Sequence, residues 1–231
     1  HKMGACNTVQ NEIGGKELLL KICEDVTVAT VVGTTLTLSP VLPATTLPVI
    51  KKGDVISFAD VGANTTITAS TQAAPKFYKV LAVLSPTTIT ISELTGSTAI
   101  ALDAVEASLE SLLFVNFGGM RSKTFSFKTD GIDITNADSD EWKTMLDGAG
   151  IRSFDISGEG VYTNNQSFQK AFKYCRENLL TCLMFIEVKS NTIFEGCFKI
   201  TSIEVSGAYD GEGTYSMSAS SSGQLTVVLN N

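Results

Sequence analysis

The sequence predicts a mainly β protein with one substantial α-helix. Three observations support this prediction. Apolar residues make up 43% of the chain and charged residues only 18%, with 19 glycines and many Thr and Ser residues, which favours strands and turns. Short segments repeatedly alternate apolar with polar side chains, the period of half-buried strands. Only the stretch from about Gln166 to Asn178 has the apolar spacing of a longer helix.

The composition changes twice along the chain and divides it into three parts. Residues 3–23 end in an apolar run, Lys16–Cys23, that is predicted to be a strand. Residues 24–115 are rich in Thr, Val, Ala and Pro and contain no Arg or Trp, whereas residues 116–231 hold every Arg and the only Trp. We expect one domain formed by residues 3–23 and 116–231, interrupted by an inserted β-rich accessory domain of residues 24–115. His1 and Lys2 resemble the remnant of an expression tag.

The middle part has strand patterns separated by turn signals such as Lys52-Gly53 and Pro75. The predicted strands are Thr34–Leu38, Asp54–Phe58, Phe77–Leu84 and Thr87–Ser92. We expect a small β-barrel or sandwich of roughly five strands here. Val105–Leu113 is expected to be a brief helix that leads back to the main domain.

The third part is predicted to contain further strands and two helices. The strands are Lys123–Lys128, Ile151–Ser157, Cys182–Val188, Gly196–Ser206 and Gly213–Ala219. Asp138–Leu146 fits a short helix, because Asp138 or Ser139 can cap it and Trp142, Met145 and Leu146 share a face.

The longer helix, from about Gln166 to Asn178, can be capped by Asn164 or Asn165. Helical spacing places one apolar stripe along it, which consists of Phe168, Phe172, Cys175 and Leu179. We expect this helix to flank the sheet.

Residue types that carry catalysis or bind metals are scarce. The only histidine is His1, so histidine-based triads and histidine metal sites are not expected. Gly118-Gly119 and Gly158-x-Gly160 lack the Lys-Ser/Thr of a phosphate-binding loop, and Gly158 and Gly160 are expected to be turn or bulge glycines. We therefore expect no catalytic residue, no metal and no cofactor. Paired carboxylates for glycoside chemistry stay open, because their spacing is spatial.

An acidic run also lacks the residue order of a calcium loop and is expected to be a solvated, helix-capping turn. It consists of Asp130, Asp133, Asp138, Asp140 and Glu141. The five cysteines, Cys6, Cys23, Cys175, Cys182 and Cys197, show no Cys-x-x-Cys spacing, so we expect reduced and mostly buried thiols.

The formal charge of −7 and the absence of basic clusters argue against a protein that grips DNA through its phosphates. The longest basic run is Lys51-Lys52. No stretch approaches the ~20 apolar residues of a membrane helix, so no membrane partner is expected.

Four phrases of the sequence resemble the major tail protein family of TP901-1 type, the tail tube proteins of long-tailed phages. They are Gly118–Phe127 continued by Gly131–Trp142, Ser153–Val161, Gly196–Gly223 and the opening Met3–Cys23 with its Gly-Lys-x-Leu-Leu-Leu run. The family-motif residues are Arg121, Ser122, Asp133, Thr135, Asp138, Trp142, Gly158, Gly160, Gly207 and Gly223. The sequence departs from the family at residues 24–115, where many relatives have a short connection.

The resemblance implies a β-sandwich or partial barrel with a flanking helix, and six subunits per ring in rings that stack into a tube. It also implies assembly in the host cytoplasm around a tape-measure protein, contacts with tail terminator and baseplate proteins, and a place in the virion tail. Double-stranded DNA would pass through the lumen without specific binding. Four strands from each of six subunits, about 4.8 Å apart, give a diameter of roughly 37 Å upright and about 48 Å at ~40° tilt.

The last strand of the sequence offers a polar face for such a lumen. Our candidate lumen-facing residues are Thr214, Ser216, Ser218 and Ser220, which alternate with Tyr215, Met217 and Ala219. An ordinary outer face of a solvated sheet is the equally weighted alternative.

Three other functions compete with a phage tail tube. The first is the tube of a gene transfer agent or of a contractile injection system. The second is a carbohydrate-binding or adhesive β module in which residues 24–115 are active, although Tyr78 is one of few aromatic residues there. The third is a hydrolase of unknown type.

Overall fold

The fold is taken from a computed structural model of the chain. It describes residues 18–41, 47–61, 66–71, 73–103, 109–135, 143–148, 150–163, 165–188, 192–207 and 211–228. The strands are β1 (Leu18–Val32), β2 (Thr35–Pro40), β3 (Val55–Phe58), β4 (Tyr78–Ser85), β5 (Thr88–Glu93), β6 (Leu109–Asn116), β7 (Met120–Asp130), β8 (Ile151–Val161), β9 (Leu180–Glu187), β10 (Thr192–Ser206), β11 (Thr214–Ser221) and β12 (Thr226–Val228). The helix α1 (Gln166–Arg176) lies between β8 and β9. The mainly β prediction with one substantial helix is confirmed.

Strands β1 to β6 close into a six-stranded antiparallel barrel. The order around the barrel is β1-β2-β5-β4-β3-β6, and β6 pairs with β1 to complete the ring. The alternating apolar side chains that predicted these strands fill its core, for example Val28, Leu36, Ile56, Val80 and Ile91, all at most 1% exposed. The prediction of roughly five strands omitted the part that β1 plays in closing the barrel.

The remaining strands extend from β1 in the order β1-β9-β10-β11-β8-β7, with β12 paired to β10. β1 therefore belongs to both parts, since residues 18–22 pair with β9 and residues 21–28 pair with β6. The expected boundary at residues 23 and 24 lies within β1, and the expected boundary at residues 115 and 116 lies within β6. The division into a main and an inserted domain stays a prediction.

Two predicted helices differ from the structure. Leu109–Leu113, the described part of the helix expected at residues 105–113, belongs to β6 and is paired on both sides with β1 and β3. Lys143–Leu146, the described end of the helix expected at residues 138–146, is extended, and the Ile134 and Leu146 N–H groups donate to the Thr144 and Ile132 carbonyls at 2.9 Å. Residues 136–142 lie outside the described chain. In both places ladder hydrogen bonds prevail over local helical spacing.

Helix α1 packs on the sheet as predicted, but with a narrower apolar stripe. Asn165 caps it by accepting a 2.7 Å hydrogen bond from the Phe168 N–H. Phe168 is buried with its ring centroid 5.2 Å from that of Tyr215. Phe172 is 49% exposed and Leu179, beyond the helix end, is 44% exposed. The predicted stripe is therefore correct for Phe168 and Cys175 and wrong for Phe172 and Leu179.

Candidate functional site

Strands β7, β8, β11 and β10 present one continuous hydroxyl-rich face. Their register aligns three transverse rows, and residues that are directly paired share a face of the sheet. The rows are Ser122, Glu159, Ser216 and Glu204; Thr124, Ser157, Ser218 and Ser202; and Ser126, Asp155, Ser220 and Lys199. Most of these side chains are hydroxyls. We call this surface the hydroxyl face.

The opposite face of the same four strands is the protein core. Tyr215, Met217 and Ala219 alternate with the hydroxyls of β11 and are at most 2% exposed. They pack with Phe154 and Ile156 of β8, each 1% exposed. Toward the strand ends this reverse face is open to solvent, since Phe127, Arg152 and Val205 are exposed.

Two register shifts keep the polar side chains of β10 and β7 on the hydroxyl face. β10 has an irregularity between Ile200 and Ser202, and β7 has one between Met120 and Ser122. Each shift changes which alternate residues point to the core. In β10 the odd-numbered Lys199 and the even-numbered Ser202 consequently lie on the same face.

The four predicted lumen-facing residues lie together on the hydroxyl face. Thr214 and Ser216 are exposed, and Ser218 and Ser220 are half-buried. The Ser220 hydroxyl donates a 2.6 Å hydrogen bond to Asp155 Oδ1. The structure thus brings the four residues onto one solvent-facing surface.

The charges on the hydroxyl face are few and partly paired. Lys128 Nζ lies 2.6 Å from Asp155 Oδ2. This hydrogen bond, followed by that from Ser220, lowers the pKa of Asp155, and the same carboxylate raises the pKa of Lys128. Glu159 and Glu204 flank Ser216 on the neighbouring strands. The face is hydroxyl-rich with a slight acidic excess.

Both lateral edges of this four-stranded sheet are open within the described chain. β7 pairs only with β8, which leaves the outer side of an 11-residue strand unpaired. The β9 ladder stops at Lys199 and Leu180, so the segment 201–206 of β10 pairs only with β11. Because consecutive strands are antiparallel, the two open edges run in opposite directions. Open edges of this length are sites for pairing with another chain.

Two glycines of the family motif let β7 and β8 approach closely. A Cβ atom at Gly158 would lie 2.6 Å from the Ser122 carbonyl oxygen, and one at Gly160 would lie 2.1 Å from that of Gly119. Both glycines lie inside β8, and Gly160 faces the register shift of β7. The bulge lies in β7 opposite Gly160, so neither glycine is itself a bulge or turn residue, in contrast to the expectation.

The remaining motif residues lie at the ends of these strands. Arg121 forms an exposed ion pair with Glu212, 2.8 Å apart. Gly207 follows β10, and Gly223 follows β11 with a φ of 92° that favours glycine. Asp138 and Trp142 lie outside the described residues. Ser122 belongs to the hydroxyl face.

A short extended pair lies beyond the β7 and β8 ends and carries Asp133 and Thr135. The Thr135 N–H and hydroxyl donate to Asp133 Oδ1 at 2.9 and 2.5 Å, which lowers the pKa of Asp133. The backbone of Asp133 also forms an isolated antiparallel β-bridge with that of Met145. Four apolar side chains of this pair are 44–49% exposed: Ile132, Ile134, Met145 and Leu146. We call residues 131–135 and 143–148 the tip. Asp130 and Asp133 of the acidic run are solvated, as expected.

An open cleft between α1 and β10 was not predicted from the sequence. It has a volume of about 560 Å³, and Tyr162, Phe172 and Val205 line it together with the basic Lys173 and Arg176. Val205 is 51% exposed because it lies on the core side of β10 where the sheet ends. No local signal in the sequence distinguishes it from a buried strand residue.

Two features are absent from the residues with described positions. None of their helices is long and apolar enough to span a membrane. They also contain no group of three or more His, Cys, Asp or Glu side chains that could hold a metal ion.

The chain matches known proteins over about half of its length. A family model described as phage tail tube protein matches residues 102–227, more than half of the chain. A chain from the tail of an empty gene transfer agent (GTA) particle, refined with C6 symmetry, is 31% identical, with 50% of this chain and 86% of that chain covered and a TM-score of 0.47. A chain from the virion of a native GTA particle is also 31% identical, with 50% and 88% covered and a TM-score of 0.47.

A search of curated proteins gives no match. The matched family region contains all four strands of the hydroxyl face. The chain belongs to the phage tail tube protein family, and it is a structural protein of the virion tail.

Proposed function

We propose that this protein forms the tail tube of a long-tailed, siphovirus-like phage of TP901-1 type, as stacked hexameric rings whose lumen is lined by the hydroxyl face. One observation carries the proposal. A four-stranded antiparallel sheet has a solvated polar face, an apolar reverse face and two open edges that run in opposite directions.

Ring closure follows from the strand directions. When copies are related by rotation about a common axis, β7 of one subunit meets segment 201–206 of β10 in the next subunit. Each subunit contributes an even number of alternating strands, so the new pair is antiparallel as well. Closing the ring satisfies the open edges and removes the aggregation hazard of the free subunit. Six copies per ring follow the family resemblance.

The chemistry of the hydroxyl face suits a conduit for DNA. Retention of a duplex requires Lys and Arg side chains that displace counterions from phosphates. The face instead carries Ser and Thr rows with three carboxylates, Asp155, Glu159 and Glu204. They outnumber its two lysines, Lys199 and Lys128, and Lys128 is engaged by Asp155. Double-stranded DNA would therefore pass through without specific binding.

The tip supports contacts between rings. Its apolar side chains Ile132, Ile134 and Leu146 are exposed, and exposed apolar clusters mark interaction surfaces. The tip carries the acidic Asp133 and Asp147 and the basic Lys143, whose Nζ lies 3.8 Å from Asp133 Oδ2, while the α1 cleft combines apolar side chains with basic ones. We infer that the tip of one ring contacts the next ring. The family resemblance adds assembly in the host cytoplasm around a tape-measure protein, with terminator and baseplate proteins at the ends.

Electron microscopy of the concentrated full-length protein in negative stain tests the proposal. Rings or tubes with a central hole are expected, with a sixfold pattern in end-on views. A protein that stays monomeric at high concentration and is absent from the tail of its own particle would contradict the proposal.

A further inference from the structure

Three cysteines stand in one row across three neighbouring strands. The last ladder pair of β1 and β9 is Ile22 with Leu183, so Cys23 stands opposite Cys182 at the next position. Cys182 is in turn paired with Cys197 of β10. Directly opposed residues of antiparallel strands have Cα atoms about 4.5–5.5 Å apart, and disulfides need about 4.4–6.8 Å. The backbone therefore permits a crosslink between Cys182 and Cys197, and the side-chain hydrogen bond between Cys23 and Cys182 brings those two sulfurs together as well.

The contacts distinguish the three thiols. The Cys182 thiol lies within hydrogen-bonding reach of two acceptors, the Cys23 sulfur and Glu195 Oε1 at 2.9 Å, and its single proton can be donated to either of them. Lys170 Nζ of α1 donates to the Cys23 carbonyl oxygen and to the Glu24 carboxylate. The Cys182 hydrogen bond lowers the pKa of Cys23 against the opposing effect of burial, and the Lys170 charge lowers it more weakly, whereas donation to Cys23 raises the pKa of Cys182. Cys23 is thus the better nucleophile of this pair.

The third thiol is the accessible one. Cys197 is exposed, Cys182 is half-buried, and Cys23 is only 8% exposed. Cys197 also borders an open cleft of about 370 Å³ whose wall includes Ser70, Pro75 and Gln224. A small oxidant can reach Cys197 without opening the core.

We propose that Cys23 and Cys182 form a disulfide when the protein meets a small-molecule disulfide oxidant, with Cys197 as the entry thiol. Cys197 attacks the oxidant and releases one small thiol. Cys182, whose proton Glu195 can accept, displaces the second small thiol and forms the Cys182–Cys197 bond. Cys23 then attacks the Cys182 sulfur and releases the Cys197 thiolate. In total, two protein thiols lose two electrons and two protons, and the oxidant becomes two thiols.

The crosslink would tie the two parts of the fold together. β1 belongs to both the barrel and the extended sheet, and a Cys23–Cys182 bond fixes it to β9 where their ladder ends. Bacterial cytoplasm keeps thiols reduced, while disulfides persist on virions. The bond would therefore form after the particle leaves its host, and stabilise the finished tail.

Peptide mapping under non-reducing conditions tests the proposal. The reduced full-length protein is treated with oxidised glutathione, digested and analysed by mass spectrometry. We expect a Cys23–Cys182 peptide and a thermal midpoint raised by roughly 5–15 °C, both reversed by dithiothreitol. In Cys197→Ser the same peptide should form several-fold more slowly. The matched control Cys175→Ser, in α1, should behave as the wild type.

Three results would overturn the proposal. One is a wild-type end product with glutathione on Cys197 or with a Cys182–Cys197 bond. Another is a Cys23 that stays open to alkylation after oxidation. An unchanged rate in Cys197→Ser would refute the entry role. Because the wild type and Cys197→Ser supply these readouts, the test does not depend on whether Cys23 variants fold.

Discussion

At the scale of single residues, a buried ion pair lies where the barrel meets the extended sheet. Lys21 and Asp54 are 0% and 1% exposed, and Lys21 Nζ lies 3.0 Å from Asp54 Oδ1 and 2.8 Å from Asn116 Oδ1. Asp54 Oδ2 also accepts the Lys51 N–H at 2.7 Å. Burial lowers the pKa of Lys21, and the Asp54 charge opposes that effect. The pair holds β1, β6 and the start of β3 in register.

Removing one partner of this pair should be costly. Asp54→Ala leaves the Lys21 ammonium buried without its counter-ion, which is expected to lower the free energy of unfolding by about 3–5 kcal/mol. Urea unfolding of both proteins measures the difference. The solvent-exposed pair of Lys76 and Glu93 is the control, and Lys76→Ala should change stability by no more than about 1 kcal/mol. Equal losses of unfolding free energy in the two variants would show that the buried pair contributes no more to stability than the exposed pair.

The Asp155 carboxylate predicts a dependence of stability on acid pH. Its pKa is lowered in the folded state, so its contribution is fully present above the unfolded value near ~3.9. That contribution is lost as the pH falls through the lowered folded value. The thermal midpoints of the wild type and Asp155→Asn should therefore differ at pH about 6 and converge toward pH about 2. A constant difference over this range would argue against the role of Lys128 and Ser220 as its partners.

At the scale of elements, the close approach of β7 and β8 depends on Gly160. The Gly119 carbonyl, which accepts the Val161 N–H at 2.8 Å, would clash with a Cβ at Gly160. Gly160→Ala should lower the free energy of unfolding by about 1–3 kcal/mol, because backbone must shift. Gly207→Ala is the control, since its Cβ meets its nearest neighbour only at 4.0 Å, and should change stability by about 0.5 kcal/mol or less. A denaturant titration in which Gly207→Ala loses more unfolding free energy than Gly160→Ala would contradict this packing.

The open edge of β7 gives a test of ring closure. Successive N–H groups of a strand point to opposite sides, so one of Lys123 and Thr124 donates toward β8 and the other toward the open edge. Lys123→Pro and Thr124→Pro should therefore behave differently. One variant should lose stability, and the other should keep the wild-type thermal midpoint but form no tubes in electron micrographs. Tubes formed by the variant that keeps the wild-type thermal midpoint would exclude β7 as the joining edge.

Element patterns in the sequence were predictive where local and long-range preferences agree. Thr88–Glu93 and Thr214–Ser221 alternate cleanly, and both are strands close to their expected bounds. The sequence resemblance to tail tube proteins is confirmed at the level of the family. The four hydroxyls of β11 do share a solvent-facing surface.

The predictions failed where distant pairing decides the conformation. Leu109–Leu113 has helical spacing, yet both of its edges are paired to strands far away in sequence. The predicted end of the first strand at Cys23 was wrong because β1 continues to Val32 as a member of the barrel. The Lys21–Asp54 pair and the cysteine row depend on register between β1, β3 and β9, and a single sequence carries no local signal for that register.

At the scale of the whole molecule, the lumen hypothesis predicts how added charge would act. Tubes that carry Ser216→Lys and Ser218→Lys would present rings of ammonium groups to the lumen. They are expected to retain short double-stranded DNA with an affinity that falls steeply with salt, because bound phosphates release counterions. Co-sedimentation of tubes with labelled DNA measures this.

The control places the same added charge at the exposed end of β4 and on the turn that follows it, as Leu84→Lys with Thr87→Lys. These tubes should retain less DNA at every salt concentration. Equal retention by the two variants would mean that Ser216 and Ser218 do not face the passage.

A cryo-electron microscopy reconstruction of the assembled tube tests the central claim most directly. We predict sixfold rings in which β7 of each subunit pairs with residues 201–206 of its neighbour, and in which Ser216 and Ser218 face the central channel. A reconstruction with those side chains on the outside of the tube, or with other strands joining the subunits, would contradict it.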